Sequence, residues 1–276
     1  MMVQIILFLL VVCCVLRGIA QLLNLQPERN AEDGTAQTTG NREIQADAMN
    51  IVITEAGKLA VLADGIGREN TGKVCSTLAV QEFSEAFSFY RSLPNPEYFF
   101  ERTMYSLHRS MQNVLEERQG GASVGVAFLS EGKLYYGMAG QIRIALLRKG
   151  ELIPLSDGQT VGVLAQRAYQ EGRLSRQETI WSLTDKDVWN YVGKDGFCQM
   201  ELCEVPVHLK KGDLVLMMTK GIYEEVSYAE MESILTYEVL TAQGKAERIV
   251  QLADHSASQD KDNGSIMVLL TDGAMR

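Results

Sequence analysis

The sequence is poor in cysteine, histidine and proline, and it has fewer basic than acidic residues. Its 276 residues include five cysteines, three histidines and five prolines, and the formal net charge is −9. No Cys-x-x-Cys pair occurs, which argues against a structural zinc site, and the cysteines are too few and scattered for a disulfide framework. An acidic chain lacks the electrostatic footprint of nucleic-acid binding, so that partner class is excluded.

Residues 1–25 are predicted to form a membrane anchor. Residues 5–16 are continuously apolar, Arg17 interrupts the run, and residues 18–25 are again mostly apolar. A spanning helix needs about 20 apolar residues, so this segment crosses a bilayer only if Arg17 reaches the interface. Basic residues follow the run and none precedes it, so the positive-inside rule predicts a single-pass protein of the cell membrane whose C-terminal domain faces the cytoplasm. A cleaved signal sequence, which would export the domain, is the alternative.

Residues 26–41 are polar and have no hydrophobic period, so they are predicted to be a linker before a domain formed by residues 42–276. Within that domain, β-type runs and helical periodicity alternate in blocks. Glycine-containing turns between successive strand-like segments are short enough to force antiparallel neighbours. Residues 214–218 are apolar at every position, as in a strand buried on both faces. Together these patterns predict an α+β fold with an antiparallel sheet system covered by helices.

Three aspartates stand at the ends of predicted strands. Asp64 and Gly65 follow an apolar strand directly, Asp262 precedes the last strand, and Asp47 precedes the first. Carboxylate and carbonyl oxygens are the ligands that Mg²⁺ and Mn²⁺ prefer, so these residues could converge on one cation site. Each short pattern alone is also a common turn sequence.

Five ordered segments carry a resemblance to a known family. They are residues 42–47 (REIQAD), 61–67 (VLADGIG), 139–143 (AGQIR), 209–222 (LKKGDLVLMMTKGI) and 262–268 (DNGSIMV). In sequence and spacing they resemble the metal-dependent type 2C (PPM-type) protein serine/threonine phosphatases. Residues 171–178 (EGRLSRQE) resemble the flap of the bacterial branch. The resemblance implies an antiparallel β-sandwich flanked by helix pairs, a four-layer αββα fold.

The resemblance also implies a chemistry and a set of residues. Two Mg²⁺ or Mn²⁺ ions would activate a water that attacks the phosphorus of phosphoserine or phosphothreonine. Asp64 matches the bridging metal ligand, Gly65 the carbonyl donor and Asp262 the late metal ligand. Asp47 matches the acidic residue that orders metal-bound water, and Arg42 matches the phosphate-binding arginine, whose guanidinium suits bidentate contacts.

The sequence departs from the family at chemical positions. Lys220 replaces a metal-ligand aspartate, and Gln141 replaces an aspartate linked to an additional metal. An ammonium near a divalent ion is strongly unfavourable. We therefore expect Lys220 to pair with Asp64 and Asp262 instead, leaving one ion or none. The alternative is that Lys220 points to solvent and water completes the coordination.

These departures favour a catalytically impaired pseudophosphatase that acts as a regulatory or phosphoprotein-binding module. Its expected partner is a phosphoserine or phosphothreonine protein, or a cognate serine/threonine kinase pathway, beside the membrane. One alternative is a weak but active Mg²⁺- or Mn²⁺-dependent phosphatase, and another is a purely structural subunit of a membrane assembly.

Overall fold

A computed structural model gives the structure of residues 32–116, 118–183 and 187–271, and its framework is a pair of antiparallel β-sheets. The strands are β1 (Gly34–Thr38), β2 (Asp47–Thr54), β3 (Gly57–Gly67), β4 (Gly120–Ser130), β5 (Lys133–Ala139), β6 (Arg143–Arg148), β7 (Glu151–Pro154), β8 (Glu201–Leu202), β9 (Val207–His208), β10 (Leu214–Met218) and β11 (Gly264–Leu270). The helices are α1 (Thr71–Ser88), α2 (Pro96–Leu115), α3 (Val161–Gln170), α4 (Arg176–Ser182), α5 (Lys220–Tyr223), α6 (Tyr228–Leu235) and α7 (Ala242–His255).

The two sheets and the helices form four layers, as predicted. One sheet has the strand order β1-β11-β10-β6-β7 and the other β2-β3-β4-β5-β8, with β9 pairing β5. Leu62, Met217 and Met267 belong to the core between the sheets. A second core joins the β2–β8 sheet to α1 and α2 and includes Phe83. A third joins the β1–β7 sheet to α5, α6 and α7 and includes Ile249.

Strand patterns explain how the layers stack. In β3, Leu59 and Val61 face the helical core while Ala60 and Leu62 face the other sheet, and all are fully buried. The five residues of β10 are also all buried, so the prediction of a strand covered on both faces is confirmed. A two-sided apolar strand is stable only between two further layers.

The domain begins earlier than the sequence suggested, because β1 lies inside the predicted linker 26–41. Gly34–Thr38 pairs antiparallel with β11, and a Cβ at Gly34 would lie 2.1 Å from the Ala242 carbonyl oxygen. Asp33 accepts hydrogen bonds from Lys58 Nζ and from the Leu270 amide, both at 2.8 Å. The strand was missed because a polar edge strand has no hydrophobic period. The compact unit therefore starts at Asp33, and the three cores lie within it.

Other predictions need smaller corrections. The sequence of residues 161–191 is polar with helical character, which predicts helix, but within the described part only α3 and α4 are helices there. Residues 205–209 have strand character in the sequence, but the strand there is limited to Val207–His208. The predicted anchor, residues 1–25, lies outside the described residues. Among the residues that are described, no helix is long and apolar enough to span a bilayer.

Candidate functional site

The strand-end aspartates meet at one end of the sandwich. Asp47 opens β2 and is the cross-strand partner of Asp64 in β3. In the other sheet, β10 ends at Met218 and pairs antiparallel with the beginning of β11. Lys220, just after β10, and Asp262, just before β11, therefore lie at the same end as the first two aspartates.

Asp47 ties the two sheets together through hydroxyl groups. Its Oδ2 accepts hydrogen bonds from Thr219 Oγ1 at 2.9 Å and from Ser265 Oγ at 2.7 Å. The Ser265 amide in turn donates to Thr219 Oγ1 at 2.8 Å. Thr219 and Ser265 are fully buried. Asp47 Oδ1 is also buried but has no hydrogen-bond partner among the described residues, so this carboxyl is only half satisfied.

Burial controls the protonation of Asp47 and Asp64. Burial raises the pKa of Asp47 to about 6, since it outweighs the hydroxyl hydrogen bonds, and the Asp262 charge adds to the rise. The pKa of Asp64 lies well above its usual value because of burial and the nearby Asp47 and Asp262 charges. Lys220 and the Gln141 side chain act on Asp64 in the opposite direction. The site is thus a crowded cluster of carboxyl groups, and Lys220 and Gln141 partly offset the effects that disfavour the charged form of Asp64.

Two side-chain cations hold the Asp262 carboxylate. Lys220 Nζ lies 3.7 Å from Asp262 Oδ2, and Arg42 Nε donates to Asp262 Oδ1 at 3.2 Å. Arg42 also pairs with Asp260, at 2.9 Å. The hydrogen bond to Asp262 raises the pKa of Arg42. The guanidinium expected to bind phosphate is therefore engaged by two carboxylates.

The glycines that match the family motif have a packing role. A Cβ at Gly65 would lie 2.2 Å from the Gly72 carbonyl oxygen, at the beginning of α1. A Cβ at Gly221 would lie 2.3 Å from the Asn263 carbonyl oxygen. Both distances are far below van der Waals contact. These two motif glycines are required for the backbone to close at this end, whether or not a metal ion binds there.

The donor set does not fit the pair of divalent ions that the family resemblance implies. Within residues 32–116, 118–183 and 187–271, no three His, Cys, Asp or Glu side chains are grouped so as to hold a metal ion. Lys220 brings a positive charge to Asp262 at the position where the resemblance expects a carboxylate ligand. The fold brings Asp47, Asp64, Gly65 and Asp262 to one end, but the Asp262 carboxylate already pairs with Lys220 and Arg42.

Sequence reasoning missed the side chains that organise the site. Thr219 and Ser265 form the sheet-to-sheet bridge at Asp47. Asn263 accepts from the Ala46 amide at 2.8 Å and donates to the Thr39 carbonyl at 3.0 Å, which fixes the loop that carries Arg42. The sequence signal that could have found Thr219 and Ser265 is a polar residue at the end of an otherwise apolar strand. Such a residue is buried only when its polar group has a hydrogen-bond partner.

Ser123 lies in a segment, Gly-Ala-Ser-Val-Gly, whose spacing matches the nucleophile elbow of hydrolases. That motif needs a turn from strand to helix, whereas residues 121–125 lie inside β4. Ser123 is fully buried beside Asp64, and its Oγ has no hydrogen-bond partner among the described residues. The geometry excludes Ser123 as an exposed nucleophile.

A cavity of about 210 Å³ opens beside Gln141. Arg143 and Tyr223 line it, together with Gln166 and Leu183 from the region of α3 and α4. The Arg143 guanidinium lies 5.3 Å from the centroid of the Tyr223 ring, and Tyr223 Oη donates to the Gln141 carbonyl at 3.1 Å. Residues 161–183 thus form a flap beside the aspartate cluster.

Comparison with known proteins agrees with this architecture. The sequence model for the family described as "Protein phosphatase 2C" matches residues 36–255. The protein phosphatase PhpP of Streptococcus pneumoniae is 23% identical over 231 residues, covering 78% of this chain and 87% of PhpP.

Solved structures show the same fold. The serine/threonine phosphatase of S. agalactiae superposes with a TM-score of 0.75 at 20% identity, covering 87% of this chain and 99% of that protein. The catalytic domain of the serine/threonine phosphatase PstP, in complex with two manganese ions, has a TM-score of 0.66 at 19% identity and covers 86% of this chain and 96% of its own. The manganese ions belong to that protein.

Proposed function

We propose that this chain, which belongs to the protein phosphatase 2C family, is a catalytically impaired member that works by binding a partner rather than by hydrolysis. The family is defined by the match over residues 36–255. The impairment is inferred from the aspartate cluster, where a metal-ligand position is Lys220. The module is regulatory or binds a phosphoserine or phosphothreonine protein.

The contact of Lys220 with Asp262 is the observation that carries this proposal. The two oxygens of Asp262 face different cations, Lys220 at 3.7 Å and Arg42 at 3.2 Å. A divalent ion at Asp262 would have to displace an ammonium or share the carboxylate with it. Like charges at such distances repel strongly when solvent is partly excluded.

The same contacts argue against strong capture of a phosphate at this site. Arg42 already pairs with Asp260 and Asp262. Among the described residues, the cations that form ion pairs with the aspartates at positions 47, 64, 260 and 262 are Arg42 and Lys220. Without divalent ions, that excess of carboxylates is unfavourable for a phosphate dianion. Partner binding is therefore expected to depend mainly on surfaces beside the cluster.

Hydrolysis assays on residues 32–276 test the proposal. We expect no Mn²⁺-dependent turnover of para-nitrophenyl phosphate or of a phosphothreonine peptide above the level of the Asp64→Ala variant. Robust turnover by the wild-type protein that Asp64→Ala eliminates would contradict the proposal and would favour the weak-phosphatase alternative. Nothing in the described structure favours that alternative over impairment.

We also propose that residues 1–25 anchor the protein in the cell membrane with the domain facing the cytoplasm. The apolar run at residues 5–16 and the basic residues after it support this orientation. Membrane fractionation of the full chain, combined with protease treatment of intact cells, is the test. The domain should sediment with membranes and resist external protease. Its digestion from outside would contradict the orientation.

A further inference from the structure

The flap has an unusual distribution of side chains, because its helices bury small residues and expose large ones. The buried residues of α3 are Gly162, Ala165 and Ala168. On its outer side, Leu164 is 40% exposed and Tyr169 is 45% exposed. Elsewhere the pattern is the usual one, with α1 burying Phe83 and Phe87. The outer face of α3 thus has the apolar composition of a helix face that packs against another protein surface.

The second flap helix is still more exposed. Thr179 is the only residue of α4 that is buried. Ile180 is 53% exposed, Trp181 77% and Leu183, which follows the helix, 49%. Local capping holds α4, since Ser175 and Glu178 form a reciprocal capping box. The apolar side chains are therefore displayed on a helix formed in advance, which lowers the entropic cost of docking.

Three of these exposed side chains, Tyr169, Ile180 and Leu183, line a groove, whereas Leu164 and Trp181 lie outside it. A cavity of about 370 Å³ lies between α3 and α4, lined by Gln166, Tyr169, Arg176, Thr179, Ile180 and Leu183. We call this cavity the flap groove. Gln166 and Leu183 also line the smaller cavity beside Gln141. The flap groove thus adjoins the cavity beside Gln141, so an occupant would lie next to that cavity.

Charge selects among possible occupants. Arg167 pairs with Asp157 and Glu201 on the inner side, and Arg173 pairs with Glu171. Within the described residues, Arg176 has no such ion pair, and the Glu178 carboxylate is held by the capping box. The flap groove is therefore apolar with one available positive charge. Two copies of the chain would bring like charges together, which disfavours self-association through this face.

We propose that the flap groove binds an amphipathic helical segment of a partner protein whose apolar side chains are flanked by aspartate or glutamate. A groove between two helices suits a third helix, which needs no sheet edge to satisfy its backbone. An acidic residue of the partner pairs with Arg176, and its apolar residues contact Tyr169, Ile180 and Leu183. This inference rests on the binding role proposed above and specifies which kind of partner segment is bound.

Peptide selection on residues 32–276 tests this proposal directly. A displayed library of 16-residue peptides is selected on the domain, and the enriched peptides are measured by fluorescence anisotropy. We expect sequences with apolar residues at helical spacing and neighbouring acidic residues. Ile180→Ser with Leu183→Ala should weaken them about tenfold or more, as expected for buried anchors at an interface. Arg176→Glu should weaken acidic peptides and favour basic ones.

A matched control is Phe89→Ala, because Phe89 is 86% exposed but lies at the end of α1, outside the flap. It should leave peptide affinity unchanged. Circular dichroism should show that the flap variants are folded, since the removed side chains are exposed. Peptides that bind the double variant as well as wild type, or a library with no peptide sensitive to it, would overturn the proposal.

Two further outcomes would replace the proposed occupant. Binding to phosphatidylglycerol vesicles that depends on Ile180, without peptide selection, would identify a bilayer. Concentration-dependent dimerisation abolished by Ile180→Ser would identify a second copy. The hydrolysis assay on the same variants separates this inference from the proposed function. Turnover by the wild-type protein would contradict the proposed impairment. It would not affect the flap-groove proposal, because peptide binding is measured separately.

Discussion

Lys220 and Asp262 lie with Nζ 3.7 Å from Oδ2 at the end of the sandwich where the family resemblance places metal ions. The two side chains are 29% and 38% exposed, so this contact is a partly solvated ion pair. Such pairs contribute about 0–1 kcal/mol to the free energy of unfolding. The effect of Lys220 is therefore expected on cation affinity much more than on folding.

Asp47 predicts an unusual dependence of stability on pH. Burial raises its pKa to about 6, so the folded state binds a proton more tightly than the unfolded chain does. The free energy of unfolding should therefore rise as the pH falls from 7 towards 4, by roughly 1–3 kcal/mol. Asp47→Asn should remove the contribution of this residue to the rise in the free energy of unfolding. Urea denaturation with EDTA at several pH values measures it, and a wild-type stability that falls steadily from pH 7 to 5 would contradict the assignment.

The hydroxyl bridge at Asp47 predicts a large cost for a small substitution. Thr219→Val keeps the side-chain shape but removes the donor to Asp47 and the acceptor of the Ser265 amide. Two buried polar groups then lose a partner, which should lower the free energy of unfolding by about 1–3 kcal/mol. Thr236→Val is the control, because the Thr236 hydroxyl, at an exposed position, donates to the Glu232 and Ser233 carbonyls of the preceding helix. Equal effects of the two substitutions in chemical denaturation would argue against the bridge.

The position of β1 predicts how short the domain can be. A chain that starts at residue 42 lacks β1 and the Asp33–Lys58 ion pair, and leaves the edge of β11 exposed. We expect its Tm to be roughly 5 °C or more below that of residues 32–276, with a tendency to aggregate through the open edge. Differential scanning calorimetry compares the two chains. Identical Tm values would mean that β1 adds nothing to the fold.

The sequence predicted the architecture well where hydrophobic periodicity was strong. Apolar residues recur at helical spacing over residues 71–90 and 95–118, and these two segments contain α1 and α2. The apolar run at residues 214–218 corresponds to β10. Edge strands without an apolar period, such as β1, were not predicted. Residues at the site were found through ordered motifs rather than through chemistry, since each aspartate alone matches a turn.

The contacts between site residues could not be predicted from the sequence. That Arg42 would pair with Asp260 and Asp262 depends on a loop fixed by Asn263. That Thr219 would bridge to Asp47 depends on how two sheets from distant parts of the chain align. Such long-range alignment is set by packing between layers, which local patterns do not specify.

Isothermal titration of Mn²⁺ into residues 32–276 measures whether Lys220 prevents an ion from binding beside Asp262. Wild type and Lys220→Gln should show no specific binding, because neither has the missing carboxylate. Lys220→Asp should bind with at least tenfold higher affinity, since it removes a cation and adds a ligand beside Asp262. Tight, stoichiometric binding by wild type that Lys220→Asp leaves unchanged would contradict the account.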